Sequence, residues 1–319
     1  MRLGQSRPER AGAQLRALLQ RGRPLIMPGC FNALSARVLE EAGFEAVYMS
    51  GYGTSLAMLG LPDAGLATLT EMALNARFIA NAVGVPVVAD ADTGFGNAIN
   101  MVRTTEEYIL AGVAGVQIED QVAPKRCGHV AGREVIDREE AILKVRAATR
   151  TRDALDREAL IIARTDARGA HGGSLEEAIW RANAFLDAGA DLAFVEGPAD
   201  RAEVERVCRE VKGPIFYNMT GISPRYSNQE LADLGIAVCI MAGAPMRAAI
   251  MAMHDFAREI QERGTLVEAE LDARFRQHPL GNMHGFAGFD RIREMEAELL
   301  PETAAAKYSD SLGYQPSRA

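Results

Sequence analysis

The segment Lys125-Arg126-Cys127-Gly128-His129 places one thiol beside two permanent cations and a titratable imidazole. A free cysteine titrates at about pH 8.5, and neighbouring positive charges lower its pKa by about one to several units. The setting therefore predicts a cysteine that acts as an acid, a base or a nucleophile near neutral pH. Gly128 and Gly132 indicate that the segment is a mobile loop. The alternative is an ordinary basic surface loop that contains a chance cysteine.

Upstream of this loop, carboxylates follow two short apolar runs. Asp90 and Asp92 follow one run, and Glu119 with Asp120 follows the next. Neither run alternates polar with apolar residues, which is typical of parallel strands buried on both faces. Carboxylates at the ends of parallel strands meet at one edge, and hard oxygen ligands of this kind suit Mg²⁺. Each acid taken singly has the alternative of capping a helix or pairing with an arginine or lysine.

The elements that must position these residues alternate along the chain. Apolar runs are separated by stretches whose apolar residues recur every three or four positions, as in Ala178, Ala182 and Phe185. This alternation predicts an α/β fold, a (β/α)₈ barrel with external helices. The predicted strands are residues 24–30, 46–50, 85–90, 115–119, 160–165, 192–196, 214–218 and 237–242.

Local signals mark some helix ends. Ser174 followed by Glu177 predicts a capping box, and Thr104 or Thr105 before two glutamates predicts another helix start. Four glycines are predicted to close helices in the left-handed conformation: Gly43, Gly84, Gly112 and Gly189.

In a barrel of this kind the active site lies at the carboxyl ends of the strands. Arg164 stands apart there, because its guanidinium fork binds a carboxylate through two hydrogen bonds. A salt bridge to a neighbouring acid is the alternative, and the two roles are compatible. The residues predicted at this rim are Ser50, Gly51, Asp90, Asp92, Glu119, Arg164, Asp166, Glu196, Asn218 and Thr220.

Composition excludes several classes of protein. A formal net charge of −8 over 319 residues argues against a nucleic-acid partner, which requires a basic surface. The sequence contains no apolar stretch of about 18 residues and no apolar signal-peptide core, so we expect a cytoplasmic protein without a membrane-spanning helix. The four cysteines lack a C-x-x-C spacing and are predicted to be free thiols.

The C-terminal region contains more helices than a barrel requires. Helical patterns at 245–263, 266–275 and 289–300 follow the eighth strand. We therefore divide the chain into a barrel domain, 1–264, and a helical extension and tail, 265–319. The extra helices are expected either to pack on their own barrel or to be exchanged between the subunits of an oligomer.

The chain resembles the isocitrate lyase and phosphoenolpyruvate mutase superfamily, especially its 2-methylisocitrate lyase members, from about residue 15 to residue 264. The resemblance rests on motifs in the order and spacing of that family. These are Tyr48-Met49-Ser50-Gly51, Leu61-Pro62-Asp63, 90–96 (DADTGFG), Ile118-Glu119-Asp120-Gln121, 125–129 (KRCGH), 163–167 (ARTDA) and Asn218-Met219-Thr220.

The resemblance implies a Mg²⁺-dependent enzyme, with Mn²⁺ as the alternative ion, that acts on a small di- or tricarboxylate. Asp90 would bind the metal, while Asp92 and Glu119 hold its waters. Cys127 would protonate the carbanion formed when a carbon–carbon bond breaks, and Tyr48 is a candidate base or its support. The remaining implied residues are His129 and Arg164 as catalytic groups, and Ser50, Gly51, Asp63, Lys125, Gly128, Arg164, Glu196, Asn218 and Thr220 as substrate-binding groups. A homo-oligomer, a tetramer built as a dimer of dimers, is also implied.

Two departures from the family pattern bear on the substrate. Residues 130–133 (VAGR) are more similar to dimethylmalate lyase and oxaloacetate hydrolase members, and Gly221 stands where a glutamate usually follows Thr220. Gln121 and Cys127 argue against the phosphonate-forming mutases. Three functions therefore remain open: a carbon–carbon lyase for a 2-alkylmalate or 2-methylisocitrate type acid, a hydrolase or decarboxylase of oxaloacetate, and a non-catalytic scaffold.

Overall fold

The computed structural model describes residues 11–308 and 310–316. Its strands are all parallel and close into a barrel in chain order, because the first strand pairs with both the second and the eighth. The predicted barrel is confirmed, and the strand ends agree with prediction within two residues. The strands are β1 Leu25–Cys30, β2 Val47–Met49, β3 Val87–Asp90, β4 Gly115–Glu119, β5 Leu160–Thr165, β6 Leu192–Val195, β7 Ile215–Asn218 and β8 Ile236–Met241.

Helices connect the strands on the outside of the barrel. Two irregular segments add to them, a π-helical turn at Ser55–Leu59 and a 3₁₀ segment at Glu302–Tyr308. The α-helices are α1 Ala11–Leu19, α2 Ala33–Glu41, α3 Gly51–Thr54, α4 Leu69–Ala82, α5 Ala98–Ala111, α6 Arg138–Leu155, α7 Leu175–Asp187, α8 Arg201–Glu210, α9 Asn228–Asp233, α10 Ala244–Arg263, α11 Val267–Phe275, α12 Met283–Ala287 and α13 Phe289–Leu299.

The interior of the barrel is filled by large side chains. Phe216 lies between Tyr48 and Phe194, with ring centroids 6.0 and 5.3 Å away. Aliphatic residues such as Val88 and Ile162 complete this cluster and are almost fully buried. The core is therefore solid, and the charged groups of the barrel lie at the strand ends.

Some helix ends differ from the prediction. Helix α5 begins after Asn97, whose side chain accepts hydrogen bonds from the backbone of the first turn. Thr104 and Thr105 lie inside this helix, where their hydroxyls donate to the carbonyls of Gly94 and Met101. The predicted start at Thr104 or Thr105 is wrong because a buried threonine satisfies its hydroxyl within a helix as readily as at its end.

Other local predictions are confirmed in part. Gly43, Gly112 and Gly189 adopt positive φ of 90°, 92° and 100°. Gly84 does not, because helix α4 ends in extended backbone at Val83. Ser174 caps helix α7 by accepting from the backbone of Glu177 at 3.1 Å, whereas the Glu177 side chain binds arginines instead of completing a capping box.

The described chain forms two compact units, residues 11–248 with the barrel, and residues 249–308 with 310–316. The predicted boundary after Gly264 stays a prediction. Within the described residues, every helix is too short or too polar to cross a lipid bilayer.

Candidate active site

The polar residues at the rim follow from the two-residue period of the strands. Side chains two positions apart in a strand point to the same side of the sheet. A residue two positions after an interior core residue therefore also faces the barrel interior. Tyr48, Val88 and Phe216 belong to that interior core. The polar positions two residues beyond interior positions are Ser50, Asp90, Glu119, Arg164, Glu196 and Asn218. All six are buried, which brings charged groups together out of bulk water.

The turn after β3 holds two carboxylates at the end of the barrel. Asp92 has a positive φ of 47°, and its backbone N–H donates to Asp90 Oδ1 at 3.0 Å. Its carbonyl accepts from the backbone of Glu119 at 3.0 Å, which draws the turn toward β4. A left-handed aspartate is uncommon and is tolerated here because its neighbours fix the turn.

Gly51 forms the opposite wall of this acidic pocket. Its backbone N–H donates to Asp90 Oδ2 at 3.2 Å. A Cβ at this position would sit 2.6 Å from Asp90 Oδ2 and 3.2 Å from Asp92 Oδ1. Two carboxylate oxygens thus face one small space, which only a glycine leaves open.

Lys125 is buried among these acids. Its ammonium forms ion pairs with Asp63 and, at 2.8 Å, with Asp92 Oδ1. Burial alone lowers the pKa of Lys125, but the charges of Asp92, Glu119 and Asp63 raise it well above its usual value. The lysine is therefore a permanent cation that partly neutralises the surrounding carboxylates.

Negative charge still exceeds positive charge in this part of the site. Burial raises the pKa of Asp92 to about 6, although Lys125 opposes the shift. Burial likewise raises the pKa of Glu119 well above its usual value, against the effect of Arg164. Burial, the largest cause of both shifts, disfavours the charged form of each carboxyl, and a cation bound nearby would restore it.

These observations fit a magnesium site. Mg²⁺ takes one or two carboxylates and keeps several waters or substrate oxygens. Asp90 and Asp92 supply oxygens to one space, and Glu119 Oε2 is buried without a hydrogen bond. In the described part of the chain, no three histidine, cysteine or acidic side chains converge as a complete metal-binding group. The roles of Asp90 as a direct ligand and of Asp92 and Glu119 as holders of metal-bound waters stay predictions.

Arg164 occupies the centre of the other part of the rim. Its Nε and Nη2 donate to both oxygens of Asp166 at 2.8 and 2.9 Å. Nη1 lies 3.3 Å from Glu119 Oε2 and 3.6 Å from Glu196 Oε2. The bidentate pairing that was predicted for a substrate is thus made with Asp166, and the Nη1 edge is directed at the site.

The loop that carries the thiol lies on this arginine. A Cβ at Gly128 would overlap Arg164 and lie 2.8 Å from Glu196 Cγ. The backbone N–H of Cys127 donates to the carbonyl of Asp63 at 3.1 Å. The loop therefore bridges the two sides of the rim.

The predicted lowering of the Cys127 pKa is wrong. Burial raises the pKa of the thiol, and the nearby charge of Asp63 adds to that shift against the smaller effects of Arg164 and Lys125. The cations that sequence places beside the cysteine have other partners, since Lys125 pairs with Asp63 and Asp92. Cys127 is consequently a protonated thiol at neutral pH.

His129 packs against the loop after β7. A Cβ at Gly221 would overlap the imidazole, so the ring occupies the place of a side chain there. His129 Nε2 lies 3.4 Å from Asn218 Nδ2 and 3.6 Å from Glu196 Oε1. His129 Nδ1 and Asn218 Oδ1 are buried without a hydrogen-bond partner among the described residues. These atoms are available to a polar ligand.

Tyr48 is placed below this rim, in the barrel interior. Its hydroxyl donates to Gln117 Oε1 at 2.6 Å. Burial and the charge of Asp90 raise the pKa of Tyr48 well above its usual value. It is thus a proton donor at neutral pH, which disfavours the role of base and leaves that of support.

The remaining predicted residues lie at the same rim. The Ser50 side chain caps helix α3 by accepting from the backbone of Gly53 at 3.1 Å. Thr220 is half-buried at the end of β7, beside Asn218. The roles of Ser50 and Thr220 in binding a substrate stay predictions.

Three functional neighbours were missed by the sequence reasoning. Gln121 donates to Glu119 Oε1 at 3.0 Å and to the Arg126 carbonyl at 2.8 Å, so it ties the loop to β4. Gln117 shares the face of Glu119, and the two-residue period could have found it. Arg133, the third, binds Asp166 at 2.9 Å, a contact without any sequence signal.

Comparison with known proteins identifies the family. The family model described as phosphoenolpyruvate phosphomutase matches residues 15–261. The chain belongs to this family. The 2,3-dimethylmalate lyase of Eubacterium barkeri is 42% identical over 286 residues, which cover 89% of this chain and 96% of that protein. The 2-methylisocitrate lyase of Aeropyrum pernix is 38% identical, over 95% of this chain and 96% of the relative.

Two solved structures are similar to this chain over most of its length. A crystal structure of 2,3-dimethylmalate lyase has a TM-score of 0.84 at 35% identity, covering 95% of this chain and 98% of that one. Oxaloacetate acetylhydrolase in complex with 3,3-difluorooxalacetate has a TM-score of 0.83 at 33% identity, covering 92% and 98%. The recognised resemblance is confirmed, and the named relatives include lyases.

Proposed function

We propose that this protein is a Mg²⁺-dependent carbon–carbon lyase, with Mn²⁺ as the alternative ion, that cleaves a 2-hydroxy dicarboxylate of the 2-alkylmalate type. The products are a 2-oxo acid, such as pyruvate, and a second carboxylic acid. The observation that carries the proposal is the Cys127 thiol, which burial keeps protonated on a loop in contact with Arg164 and Glu196. A protonated acid beside an arginine suits protonation of a carbanion next to a carboxylate.

The two sides of the rim divide the work of binding. Arg164 directs its Nη1 edge into the site, and Asn218 with His129 offers buried polar atoms without partners. These groups would hold a substrate carboxylate. Asp90 would bind the metal directly, and Asp92 with Glu119 would hold its waters. Mg²⁺, when bound, supplies positive charge that stabilises developing oxyanions as a Lewis acid.

Two proton transfers accompany the cleavage, one from the substrate hydroxyl and one to the carbanion. In retro-aldol cleavage a base accepts the hydroxyl proton, and the hydroxyl carbon becomes a carbonyl as its bond to the neighbouring carbon breaks. The electron pair of that bond stays on the neighbour. The Cys127 thiol gives its proton to the resulting carbanion. Tyr48 does not take the hydroxyl proton at neutral pH, because its own proton is held by burial and by the charge of Asp90.

The wall near Gly221 favours a small substrate. In the described structure the imidazole of His129 fills the space that a side chain at this position would need. Residues 221–224 place no carboxylate there. A 2-alkylmalate with its two carboxylates suits this wall better than the longer tricarboxylate 2-methylisocitrate does, and the 42% identity to 2,3-dimethylmalate lyase supports the choice.

The test is a product assay with Mg²⁺ across 2,3-dimethylmalate, 2-methylisocitrate, isocitrate and oxaloacetate, with 2-oxo acid release coupled to lactate dehydrogenase and products assigned by NMR. We expect pyruvate and an equal amount of a second acid from 2,3-dimethylmalate. Turnover of 2-methylisocitrate alone would contradict the substrate class, and no cleavage of any hydroxy acid would contradict the lyase.

A second candidate function has a specific observation in its favour. Oxaloacetate acetylhydrolase shares the fold at a TM-score of 0.83. If oxaloacetate alone is consumed, oxalate with acetate identifies a hydrolase, whereas pyruvate with CO₂ identifies a decarboxylase. In the hydrolysis, breaking the bond between C2 and C3 leaves the electron pair on C3, and Cys127 would give its proton to that carbon to form acetate.

We also infer a homo-oligomer, in which C-terminal helices are exchanged between subunits of a tetramer. Apolar side chains on α10 support this, since Met251 and Met253 are 64% and 63% exposed. Exposed apolar surface of this kind is commonly covered by another chain. Light scattering coupled to size-exclusion chromatography tests the inference, and a monomer of 34.4 kDa at micromolar concentration would contradict it.

A further inference from the structure

Arg133, at the end of the thiol-bearing loop, is joined to Arg164 through one shared carboxylate. Asp166 Oδ1 accepts hydrogen bonds from Arg133 Nη1 and from Arg164 Nη2, each at 2.9 Å. Asp166 has no exposed surface, and Arg133 is 7% exposed. An arginine remains buried in this way only when its charge is paired. The contact is therefore part of the site's construction and not an incidental surface ion pair.

The backbone around Arg133 fixes its position. Val122 and Glu134 are joined by a backbone hydrogen bond of 2.9 Å, next to an antiparallel bridge between Gln121 and Val135. The carbonyl of Arg133 accepts from the backbone of His171 at 2.9 Å. The returning end of the loop is thus anchored to the strand that carries Glu119 and to the segment after β5.

A glycine makes room for the guanidinium. A Cβ at Gly169 would overlap Arg133 Nη2, and its other near contacts also belong to the Arg133 guanidinium. Gly169 does not have a positive φ, so its backbone suits other residues. The space it leaves is consequently space for Arg133.

Because Arg133 and Arg164 share the Asp166 carboxylate, Arg133 affects the balance of charge around Arg164. Burial opposes ionisation of Asp166, but the Arg164 and Arg133 guanidiniums hold the pKa of that carboxyl below its usual range. Arg164 also lies close to Glu119 and Glu196, so the positive charge of Arg133 offsets one of the three carboxylates around Arg164. Without Arg133, one guanidinium would face all three carboxylates, and the site would attract a substrate carboxylate less strongly.

We propose that Arg133 is a positioning residue that acts through Asp166 to keep the Arg164 guanidinium oriented for binding a substrate carboxylate. The role deepens the proposed function and rests on it for the identity of the substrate. The contacts themselves depend only on residues of this chain. Binding of a simple dicarboxylate can therefore test the role separately from turnover.

The experiment measures the affinity of oxalate in the presence of Mg²⁺ by calorimetry, together with KM and kcat for 2,3-dimethylmalate. In Arg133→Met, we expect oxalate binding about tenfold weaker and KM raised by a similar factor, with a smaller change in kcat, since partners behind a binding group are typically worth about 10- to 100-fold. Arg133→Lys should recover part of the affinity. Arg126→Met is the matched control, because Arg126 lies on the same loop and its guanidinium donates a long hydrogen bond of 3.5 Å to the Ala131 carbonyl, outside the contact with Asp166.

Gly169→Ala provides a second variant that leaves every charge in place. The added methyl should displace the Arg133 guanidinium and weaken oxalate binding about as much as Arg133→Met. In the Arg133→Met background the same change should have no further effect on oxalate affinity. A thermal melt of each variant separates lost binding from lost folding, and Arg133→Lys keeps the test open where Arg133→Met folds poorly.

The outcomes distinguish this role from the proposed function. Unchanged oxalate affinity in folded Arg133→Met and Gly169→Ala proteins would overturn the role, and so would a wild-type protein that binds no oxalate. Equal losses in Arg126→Met would reduce it to general loop charge and overturn it too. Oxalate affinity that depends on Arg133 in a protein that cleaves no hydroxy acid would support the role while the lyase fails.

Discussion

Two halves of the barrel rim differ in their balance of cations and carboxylates. The acidic half is formed by Asp63, Asp90 and Asp92. There the positive charge of one lysine, Lys125, is set against three carboxylates. In the arginine half, two guanidiniums share the single carboxylate of Asp166. The first half has one cation for three carboxylates, whereas the second has two guanidiniums for Asp166, Glu119 and Glu196, so positive charge is concentrated in the second half. A metal cation and an anionic substrate are therefore drawn to neighbouring but different places, and the loop with Cys127 lies between them.

The largest expected effect comes from breaking the acidic half. Asp90→Ala should remove direct metal binding and reduce kcat/KM by about a thousandfold or more, since Lewis-acid stabilisation supplies several kcal/mol. Calorimetry with Mg²⁺ and steady-state kinetics measure both effects. Asp187→Ala, at an exposed position near the end of α7, is the control. Full wild-type activity in excess EDTA would show that no divalent ion is needed.

Removing the thiol tests the group between the two halves. Cys127→Ser should lower kcat by about 100- to 10,000-fold with little change in thermal stability, because proton transfer from a positioned acid contributes that much. Cys208→Ser removes another partly buried thiol far along the chain and should leave kcat unaltered. Wild-type turnover by Cys127→Ser would take the thiol out of the mechanism.

Gly221→Ala sharpens the account of the arginine half. The added methyl would overlap the His129 imidazole, and we expect kcat/KM to fall about tenfold, near the 1.4 kcal/mol that a tenfold change represents. Gly235→Ala is the matched control, with a φ of 70° against 61° at Gly221 and no atom near its added methyl. Equal kinetic losses in the two variants would indicate backbone strain, not contact with His129.

The smallest effect concerns the pH dependence of Cys127. Because burial raises the thiol pKa, the reactive thiolate at pH 7 is scarcer than in a free cysteine. Alkylation by iodoacetamide should be slow at pH 7 and accelerate about tenfold per pH unit up to the raised pKa. As the pH approaches and passes the raised pKa, kcat should fall, because the thiol then loses its proton. Mass spectrometry locates the label, and rapid labelling of Cys127 at pH 6 would contradict a protonated acid.

Much of the fold could be predicted because its signals are local. Apolar runs such as 115–119 and 160–165 coincide with β4 and β5. The start of helix α5 could not be predicted from Thr104, because a hydroxyl bond to the Gly94 carbonyl depends on the turn before the helix. A threonine that begins a helix and one that lies inside it look the same in the sequence. Only the hydrogen-bond partner of the hydroxyl distinguishes them.

For the candidate site, the positions of the residues could be predicted from the sequence, but their partners could not. Asp90, Glu119 and Arg164 end strands, so their convergence follows from barrel topology once the strands are known. The partners they choose do not follow. Arg164 meets Asp166 two residues away, and Arg133 reaches the same carboxylate from 33 residues earlier in the chain.

Sequence by itself determined the residue types at the strand ends, the barrel that gathers them and the family to which the chain belongs. Tertiary structure alone decided the state of each group. It buries Cys127 and so raises the thiol pKa, although the sequence surrounds it with cations. The physical reason is that desolvation and the allocation of each charge to a partner depend on distances between segments, which adjacency in the chain does not specify.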